Sequence, residues 1–282
     1  MKSRKDQPKY RLEPTAAMVM LWSLDLYKKG LPKRYLATLD LRSAKKITED
    51  CHKVCPWYGE IILNRKHLIK HLTQKRLRSA RKPHRVIVLG SGKSPLSLEL
   101  LADRAVAPDR VIEVDTRGLD VKQRTFQEIA PALCGKIDFV TADVTSKQAE
   151  RAYRDGKRTP SIIIIEGLSY FISVRKLERI LRLFRTENRE NLLIMEYLLP
   201  YMSVSEEKRF IPRTVLKMVR RIGGIRALTH YTQAKTKKII SALGGKWEDC
   251  FTVTDMERLR TGKNRYFRSG NDGWIECLTA RI

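Results

Sequence analysis

The middle of the chain alternates short, solid runs of hydrophobic residues with stretches of helical spacing. Five runs have the length of buried strands, at Val86–Leu89, Arg110–Asp115, Ile137–Ala142, Ser161–Ile165 and Asn191–Leu198. Between them, apolar residues recur every three to four positions, which predicts helices over Val121–Ala130 and Val174–Thr186. This alternation is typical of a parallel sheet with helices on both faces, which binds its ligands at the carboxyl ends of the strands. The pattern predicts an α/β fold with a doubly wound, mostly parallel sheet.

The two ends of the chain follow other patterns. From Glu13 to Ala80 the apolar residues keep helical spacing, which predicts an N-terminal helical cap over residues 1–80 and a sheet domain over 81–282. After the last run come two further helical patterns and two strand-like segments, at Ser205–Ile222, Gln233–Leu243, Trp247–Val253 and Gly273–Ala280. We expect the two strands to close the sheet as an antiparallel hairpin, and residues 201–231 to form a lid over the substrate.

The composition indicates a globular and strongly basic protein. Of the 282 residues, 42% are hydrophobic, which is enough for a sizeable core and excludes a disordered or fibrous chain. Lys and Arg number 57 against 31 Asp and Glu, a net charge of +26 that attracts RNA or acidic proteins. Two stretches without an acidic residue, 65–85 and 208–238, are candidates for one basic face.

Cysteine usage and the length of the apolar runs bear on the compartment. Five cysteines, an odd number scattered along the chain, argue against a disulfide framework and favour a reducing compartment. No run approaches the roughly 18 uncharged apolar residues that cross a bilayer. The front end superficially resembles a signal peptide, but no small-residue cleavage site follows it. We expect a cytoplasmic protein without a membrane span.

A glycine-containing turn follows the first predicted strand. The segment Gly90-Ser91-Gly92-Lys93-Ser94 invites comparison with a nucleotide-binding P-loop, but that motif needs a glycine where this chain has Ile87. A Gly-x-Gly turn instead lets the backbone approach a bound small molecule closely, because glycine has no Cβ. Ser94 and Pro95 predict the start of the next helix, with Ser94 as its N-cap.

Carboxylates end three consecutive strands of the predicted sheet. Asp115 ends the second strand, where it can accept hydrogen bonds from the ribose hydroxyls of an adenosine cofactor. Asp143 follows the third strand, where it can meet an adenine amino group, and Glu166 follows the fourth and faces the same crevice. Both a dinucleotide and S-adenosylmethionine satisfy this arrangement. The alternative is that each carboxylate only caps a helix or keeps a loop soluble.

These segments resemble a known family. The resemblance is to the leucine carboxyl methyltransferase family, within the class I S-adenosylmethionine-dependent methyltransferases. It spans about Tyr58–Leu198 and rests on the sequences at 86–96, 111–115 and 142–144, and above all on Ile-Glu-Gly-Leu-Ser-Tyr-Phe-Ile at 165–172. It implies a Rossmann-like fold and the cofactor S-adenosyl-L-methionine.

The resemblance also implies roles for individual residues. Gly90, with Ser91 and Gly92, would lie under the methionyl group of the cofactor. Asp115 would hold the ribose, and Asp143 with Val144 would frame the adenine. The remaining candidates are Glu166 as a cofactor-binding and catalytic residue near the reacting centre, Tyr170 as a second catalytic residue, and Arg65 as the partner of the cofactor carboxylate.

The acceptor of the methyl group stays open at this point. A carboxylate is ionised at neutral pH and needs no general base, and a basic cleft would bind such an anionic substrate, either a small molecule or an acidic protein. A hydroxyl acceptor would need a base, for which Glu166 and His230 are candidates. Two alternatives keep the fold: methylation of an RNA, and a basic module that binds RNA or protein without catalysis.

One further motif has nearly the spacing of metal ligands. Cys51 and Cys55, followed by His67 and His71, approach the spacing of a zinc finger. Residues 57–66 between the pairs read as the start of a continuous amphipathic helix rather than as a hairpin. We therefore predict no metal site and expect these four residues to serve packing or to lie on the surface.

Overall fold

A seven-stranded sheet forms the centre of the structure, a computed structural model that describes residues 10–106, 108–154 and 159–282. The strands in chain order are β1 (Tyr10–Arg11), β2 (Leu39–Asp40), β3 (Arg85–Leu89), β4 (Arg110–Asp115), β5 (Ile137–Thr141), β6 (Ser161–Ile165), β7 (Leu192–Leu198), β8 (Lys246–Thr252) and β9 (Ile275–Arg281). The short strands β1 and β2 form a separate parallel pair. The others form the sheet in the order β5-β4-β3-β6-β7-β9-β8. Strand β9 runs in the opposite direction to the other six, so its pairs with β7 and β8 are antiparallel and the remaining pairs are parallel.

Helices cover both faces of this sheet. They are α1 (Pro14–Ser23), α2 (Gly30–Leu36), α3 (Lys45–Val54), α4 (Gly59–Ser79), α5 (Leu96–Ala102), α6 (Leu119–Ile129), α7 (Pro131–Cys134), α8 (Lys147–Arg154), α9 (Val174–Leu183), α10 (Phe210–Ile222), α11 (Gln233–Ala242) and α12 (Val253–Thr261). Within the described ranges, none of them combines the length and the apolar character that a membrane span requires.

Two hydrophobic cores lie on opposite sides of the sheet, because successive residues of a strand point to opposite faces. On β3, Val86 and Val88 belong to the core that also contains residues of α1, α4 and α10. Ile87 and Leu89 belong to the other core, with residues of α8, α9 and α11. All five residues of β3 and of β6 are buried. Burial on both faces explains why these strands read as solid apolar runs rather than as alternating ones.

The direction of strand addition reverses between β3 and β6. From β3 the chain adds β4 and β5 on one side, and it then returns to add β6 and β7 on the other. Leu89 and Ile165, the last residues of β3 and β6, are paired partners. In open α/β sheets the crevice at such a reversal is the usual ligand site. Here it lies between Gly90 and Glu166, the residues that follow these two strands.

The predicted fold class is confirmed, with local differences. The strands β4 and β6 have the predicted bounds, and the closing pair β8 and β9 is antiparallel. The predicted N-cap at Ser94 is wrong: Ser94 N–H donates to Ser91 O in a turn, and α5 begins only at Leu96. The N-terminal segment also contains the two-residue strands β1 and β2, which its helical spacing did not indicate. Residues 1–9 of the predicted cap lie outside the described residues.

The cap and the predicted lid segment pack directly on the sheet. Buried side chains of α1, α4 and α10 share one hydrophobic cluster with β3 and β6. Helix α1 also contacts both α4 and α10. The carboxyl-terminal edge of the sheet is therefore enclosed by helices from both ends of the chain.

A substitution at Gly273 can test how tightly the closing hairpin packs against α12. A Cβ at this glycine would lie 1.7 Å from Cγ2 of Val253, the first residue of α12. Valine is stiff about χ1, so relief requires a backbone shift. We expect Gly273→Ala to lower the free energy of unfolding by about 2 kcal/mol, measured by urea denaturation. The control is Gly135→Ala, where φ is −64° and no atom lies within 4 Å of the new methyl group. Equal effects of the two substitutions would contradict this account of the packing.

Candidate active site

A cavity of about 270 Å³ opens at the carboxyl ends of β3 and β6. The turn after β3, the loop after β6 and one face of α4 line it on one side. The predicted site residues among its lining are Arg65, Gly90, Ser91, Gly92, Glu166 and Tyr170. Residues of α1, α10 and the start of β9 line the opposite side. The structure thus brings six of the predicted site residues to one cavity.

The turn after β3 presents unpaired polar atoms to this cavity. Gly90 and Gly92 have φ values of +67° and +50°, which L side chains rarely adopt, so the turn requires glycine at both positions. The hydroxyls of Ser91 and Ser94, which also line the cavity, are buried and have no hydrogen-bond partner in the protein. Unpaired buried hydroxyls are costly unless a ligand satisfies them. The turn is therefore suited to a polar group of a bound molecule.

The partly buried Asp115 and the buried Lys122 hold this turn in place. Gly92 N–H donates to Oδ2 of Asp115 over 2.9 Å, which ties the turn to the end of β4. Lys122 of α6 donates to Gly92 O over 3.3 Å and forms an ion pair of 2.5 Å with Glu113 of β4. Ser97 also donates to Glu113. Asp115 therefore positions the turn itself, whatever it contributes to a ligand.

Four charged residues pack together next to this turn, and three of them, Arg65, Lys66 and Glu166, line the cavity. Arg65 Nε and Lys66 Nζ, both on α4, contact Glu166 Oε1 at 3.1 and 2.9 Å. Arg65 Nη1 also lies 3.7 Å from Oε1 of Glu196 on β7 and donates to the Tyr170 hydroxyl over 3.4 Å. Glu196 Oε2 accepts from Gly167 N–H over 2.8 Å. We call Arg65, Lys66, Glu166 and Glu196 the charged cluster.

Burial and pairing give these groups different proton affinities. Burial alone would raise the pKa of Glu166, but the charges of Lys66 and Arg65 outweigh it and lower that pKa below its usual value. The pKa of Glu196 is raised, because its burial is compensated less completely by Arg65. Burial also raises the pKa of Tyr170. At neutral pH, Glu166 is therefore a carboxylate fixed by two cations, and Tyr170 is a neutral phenol.

Four other candidates lie apart from the cavity lining, and one of them is Asp115, which reaches the glycine turn only through Gly92 N–H. Asp143 is exposed, and it accepts from the backbone N–H of Thr145 over 2.7 Å as a local turn. The neighbouring Val144 is buried in the core on the α9 side, and its carbonyl accepts from Tyr153. His230 lines a separate surface pocket with Tyr201 and two arginines. As a general base for a ligand in the cavity, His230 has no support from this geometry.

The two basic stretches of the sequence differ in the structure. In the first, Arg65 and Lys66 are buried in the charged cluster, and Lys70 pairs with Glu99 at 2.5 Å. The second contains α10, on which Arg213, Lys217 and Arg221 lie four residues apart and exposed. None of these three has a carboxylate within ion-pair distance among the described residues. They form a basic stripe on α10, while Lys75, Arg81 and Lys82 of the first stretch are exposed as well.

The cysteine and histidine pairs do not form a metal-binding group. Cys51 and Cys55 are buried in the hydrophobic core beneath α1. His67 and His71 stack on each other along α4, with ring centroids 6.5 Å apart. Over the ranges that the structure describes, no three His, Cys, Asp or Glu side chains are grouped so as to hold a metal ion.

Sequence reasoning missed residues of the cavity lining and of the charged cluster. Lys66 was recognised only as part of a basic stretch, and Glu196 was not singled out. Glu196 is the one charged residue in the buried strand β7. Because a charge inside a buried strand needs a partner, this Glu could have been predicted to form a buried ion pair. The apolar lining from α1 and α10 had no sequence signal, since any buried helix has similar residues.

Comparison with known proteins establishes the fold. No protein-family model and no curated protein sequence matches the chain. A candidate methyltransferase from Thermobifida fusca superposes with a TM-score of 0.62 at 14% identity, covering 98% of this chain and 96% of that one. A DUF574 family protein from Streptomyces avermitilis gives 0.58 at 14% identity, with coverages of 85% and 90%. The methyltransferase domain of a bacterial Hen1 protein gives 0.51 at 12% identity, with coverages of 78% and 97%. The chain therefore has a methyltransferase-type α/β fold, while the resemblance to the leucine carboxyl methyltransferase family stays a prediction.

The charged cluster predicts a pH-dependent loss of stability. Glu166→Gln leaves Lys66 buried without its carboxylate, and we expect it to lower the free energy of unfolding by about 3 kcal/mol at pH 7. The folded-state pKa of Glu166 is depressed, so its contribution is present above the unfolded-state value of about 4.3 and declines as the pH falls below it. Urea denaturation at pH 7, 5 and 3.5 should show the difference shrinking. Glu187→Gln, at an exposed carboxylate, is the control. If Glu166→Gln lowers the free energy of unfolding as much at pH 3.5 as at pH 7, Glu166 does not stabilise the fold as an ionised carboxylate.

Proposed function

We propose that the protein is an S-adenosylmethionine-dependent methyltransferase that transfers a methyl group to an oxygen, and specifically to a carboxylate of its substrate. The observation that carries this proposal is the cavity at the strand reversal, which the glycine turn lines together with Arg65, Lys66 and Glu166 of the charged cluster. The fold shared with methyltransferase structures supports the cofactor. The proton affinities of the cavity residues support the acceptor.

The residues of the cavity fit the polar end of the cofactor. The two glycines leave the turn open, and the unpaired hydroxyls of Ser91 and Ser94 are available to an amino acid group. Asp115, at the foot of the turn, is the candidate for the ribose hydroxyls. Arg65, the candidate for the cofactor carboxylate, is already paired with two carboxylates, so we assign it first to orienting Glu166. Asp143 and Val144 remain proposals for the adenine.

When bound, S-adenosylmethionine supplies a methyl group on a sulfonium, and its transfer forms an oxygen–carbon bond, breaks the carbon–sulfur bond and leaves the electron pair on sulfur. The protein's task in such a displacement is alignment and the exclusion of water. Glu166, fixed by Lys66 and Arg65, places a negative charge at the cavity wall, where it favours a cationic ligand. The helices α1 and α10 exclude water from the other side.

The cavity offers no free general base among its described lining residues. Glu166 is held ionised with a lowered pKa, which makes it a weak base, and Tyr170 stays protonated. Burial lowers the pKa of Lys93 to about 8, but its ammonium is occupied by Gly118 O and the ring of Tyr10. An acceptor that is already ionised needs no base. A carboxylate meets this condition and a hydroxyl does not.

A second candidate is an RNA-directed methyltransferase. It is favoured by the basic stripe of Arg213, Lys217 and Arg221 on α10, at the border of the cavity. Such a stripe binds phosphates without reading sequence. Under this alternative the acceptor would be carried by RNA, and the label of the transfer experiment below would be found there.

The cofactor assignment predicts a specific loss of binding. Asp115→Asn removes the charge that would accept from ribose hydroxyls while it keeps the size of the side chain. We expect S-adenosylhomocysteine to bind at least about tenfold more weakly, measured by calorimetric titration. The matched control is Asp120→Asn, an exposed carboxylate on α6, which should leave the affinity unchanged. Unchanged affinity in Asp115→Asn, with an unchanged unfolding midpoint, would show that the ribose assignment is wrong.

The acceptor assignment predicts the chemistry of the product. The protein is incubated with methyl-labelled S-adenosylmethionine and a fractionated cell extract, and the labelled products are divided for treatment with mild alkali or with ribonuclease. A methyl ester releases its label as methanol in alkali, and this is the expected result. Label that resists alkali and becomes small after ribonuclease would favour the RNA alternative. The absence of label from every fraction, without cofactor binding, would favour a non-catalytic binding module.

A further inference from the structure

The half of the cavity that faces α1 and α10 is almost entirely apolar. Its walls are Met18, Val19 and Met20 of α1, Leu216 and Val219 of α10, and Leu228, Trp274 and Ile275. Tyr58 stacks on Trp274, with ring centroids 5.2 Å apart, and completes an aromatic wall. We call these residues together with Ile61 and Ile62 the apolar half.

Helix α4 divides the apolar half from the charged cluster. Its residues Ile61 and Ile62 line the cavity on one turn, and Arg65 and Lys66 line it on the next. Residues four apart lie on the same face of a helix, separated by about 6 Å along its axis. The lining therefore changes from hydrocarbon to charge within about one helical turn. A molecule that spans this boundary must itself have an apolar part next to a polar end.

The apolar half offers little to a nucleobase or a sugar. Apart from the hydroxyls of Thr15 and Tyr58 and the indole N–H of Trp274, which bonds to Tyr58, its described lining contains no side chain that forms strong hydrogen bonds. The backbone groups of α1 and α10 are largely used within the helices. A base or a sugar enclosed there would lose its hydrogen bonds to water without replacement, at a cost that an aliphatic or aromatic group does not incur. The methionines add an adaptable surface, since their side chains repack around different apolar shapes.

We propose that the substrate is an apolar monocarboxylic acid, with its aliphatic or aromatic body between α1 and α10 and its carboxylate at the boundary with the charged cluster. This proposal rests on the proposed function, because it takes the carboxylate as the methyl acceptor. It goes further in naming the part of the substrate that is recognised. The basic stripe on the outside of α10 then attracts the anion towards the cavity and is not its binding site.

The test uses a series of straight-chain acids as probes. Calorimetric titration first measures the binding of S-adenosylhomocysteine to the full chain, and then that of hexanoate, octanoate and decanoate to the protein saturated with it. We expect each added methylene to tighten binding about fourfold until the apolar half is filled. Gluconate, which has the same charge but a hydroxylated body, should not bind measurably.

A matched pair of variants locates the binding. Val219→Trp fills the apolar half from α10, and it should weaken decanoate binding at least about tenfold without changing the affinity for S-adenosylhomocysteine. Thr214→Trp adds the same side chain to the exposed face of the same helix, and it should keep the chain-length dependence. Leu228→Trp fills the same half from another segment, and it replaces Val219→Trp if that variant has a lowered unfolding midpoint.

Each outcome supports or overturns a defined statement. The chain-length dependence together with its loss in Val219→Trp supports the proposal. S-adenosylhomocysteine binding without chain-length dependence, or a dependence that survives in both cavity-filling variants, overturns it and leaves the proposed function standing. Failure to bind S-adenosylhomocysteine overturns both. Labelled RNA from the transfer experiment, with acids that bind but receive no methyl group, also overturns it.

Discussion

The structure around the cavity depends on one constraint, which is that two cations of α4 are buried and must be neutralised. Arg65 and Lys66 lie in the interior, and they pair with Glu166, which follows β6, and with Glu196, which lies within β7. The cost of breaking such a buried pair fixes α4 against the sheet in one register. The same pairing keeps Glu166 ionised and withdraws it from proton transfer. A requirement of folding thus makes Glu166 a fixed charge at the cavity rather than a proton acceptor.

The sheet could be predicted because burial on both faces imposes a strong pattern. The strand Ser161–Ile165 contains four consecutive isoleucines, and it was placed without error. Helix α8 was missed because only Ala149 and Tyr153 of its eight residues are buried, and an apolar stripe of two residues is too short to predict a helix. The start of α5 was misplaced because Ser94 and Pro95 carry the local signal of an N-cap, while the glycine turn before them uses the Ser94 N–H for its own closure.

Site residues that directly follow a strand could be predicted from the sequence. Gly90 and Glu166 follow β3 and β6 at the reversal, and topology alone brings them together. Asp143 follows β5 two residues later, on the far edge of the sheet, and its Oδ1 accepts from the backbone N–H and the hydroxyl of Thr145. Glu196 lies within a strand rather than after it. Contacts between distant segments, such as that of α1 with α10, are set by tertiary packing and have no counterpart in local sequence.

Part of the apolar wall of the cavity comes from residues 14–23 and 210–222, which are far apart in the chain and contribute neither to the glycine turn nor to the charged cluster. Substitutions in α1 or α10 can therefore reshape the space for one molecule without disturbing the place of the other. Over evolutionary time this arrangement permits the two halves to diverge at different rates.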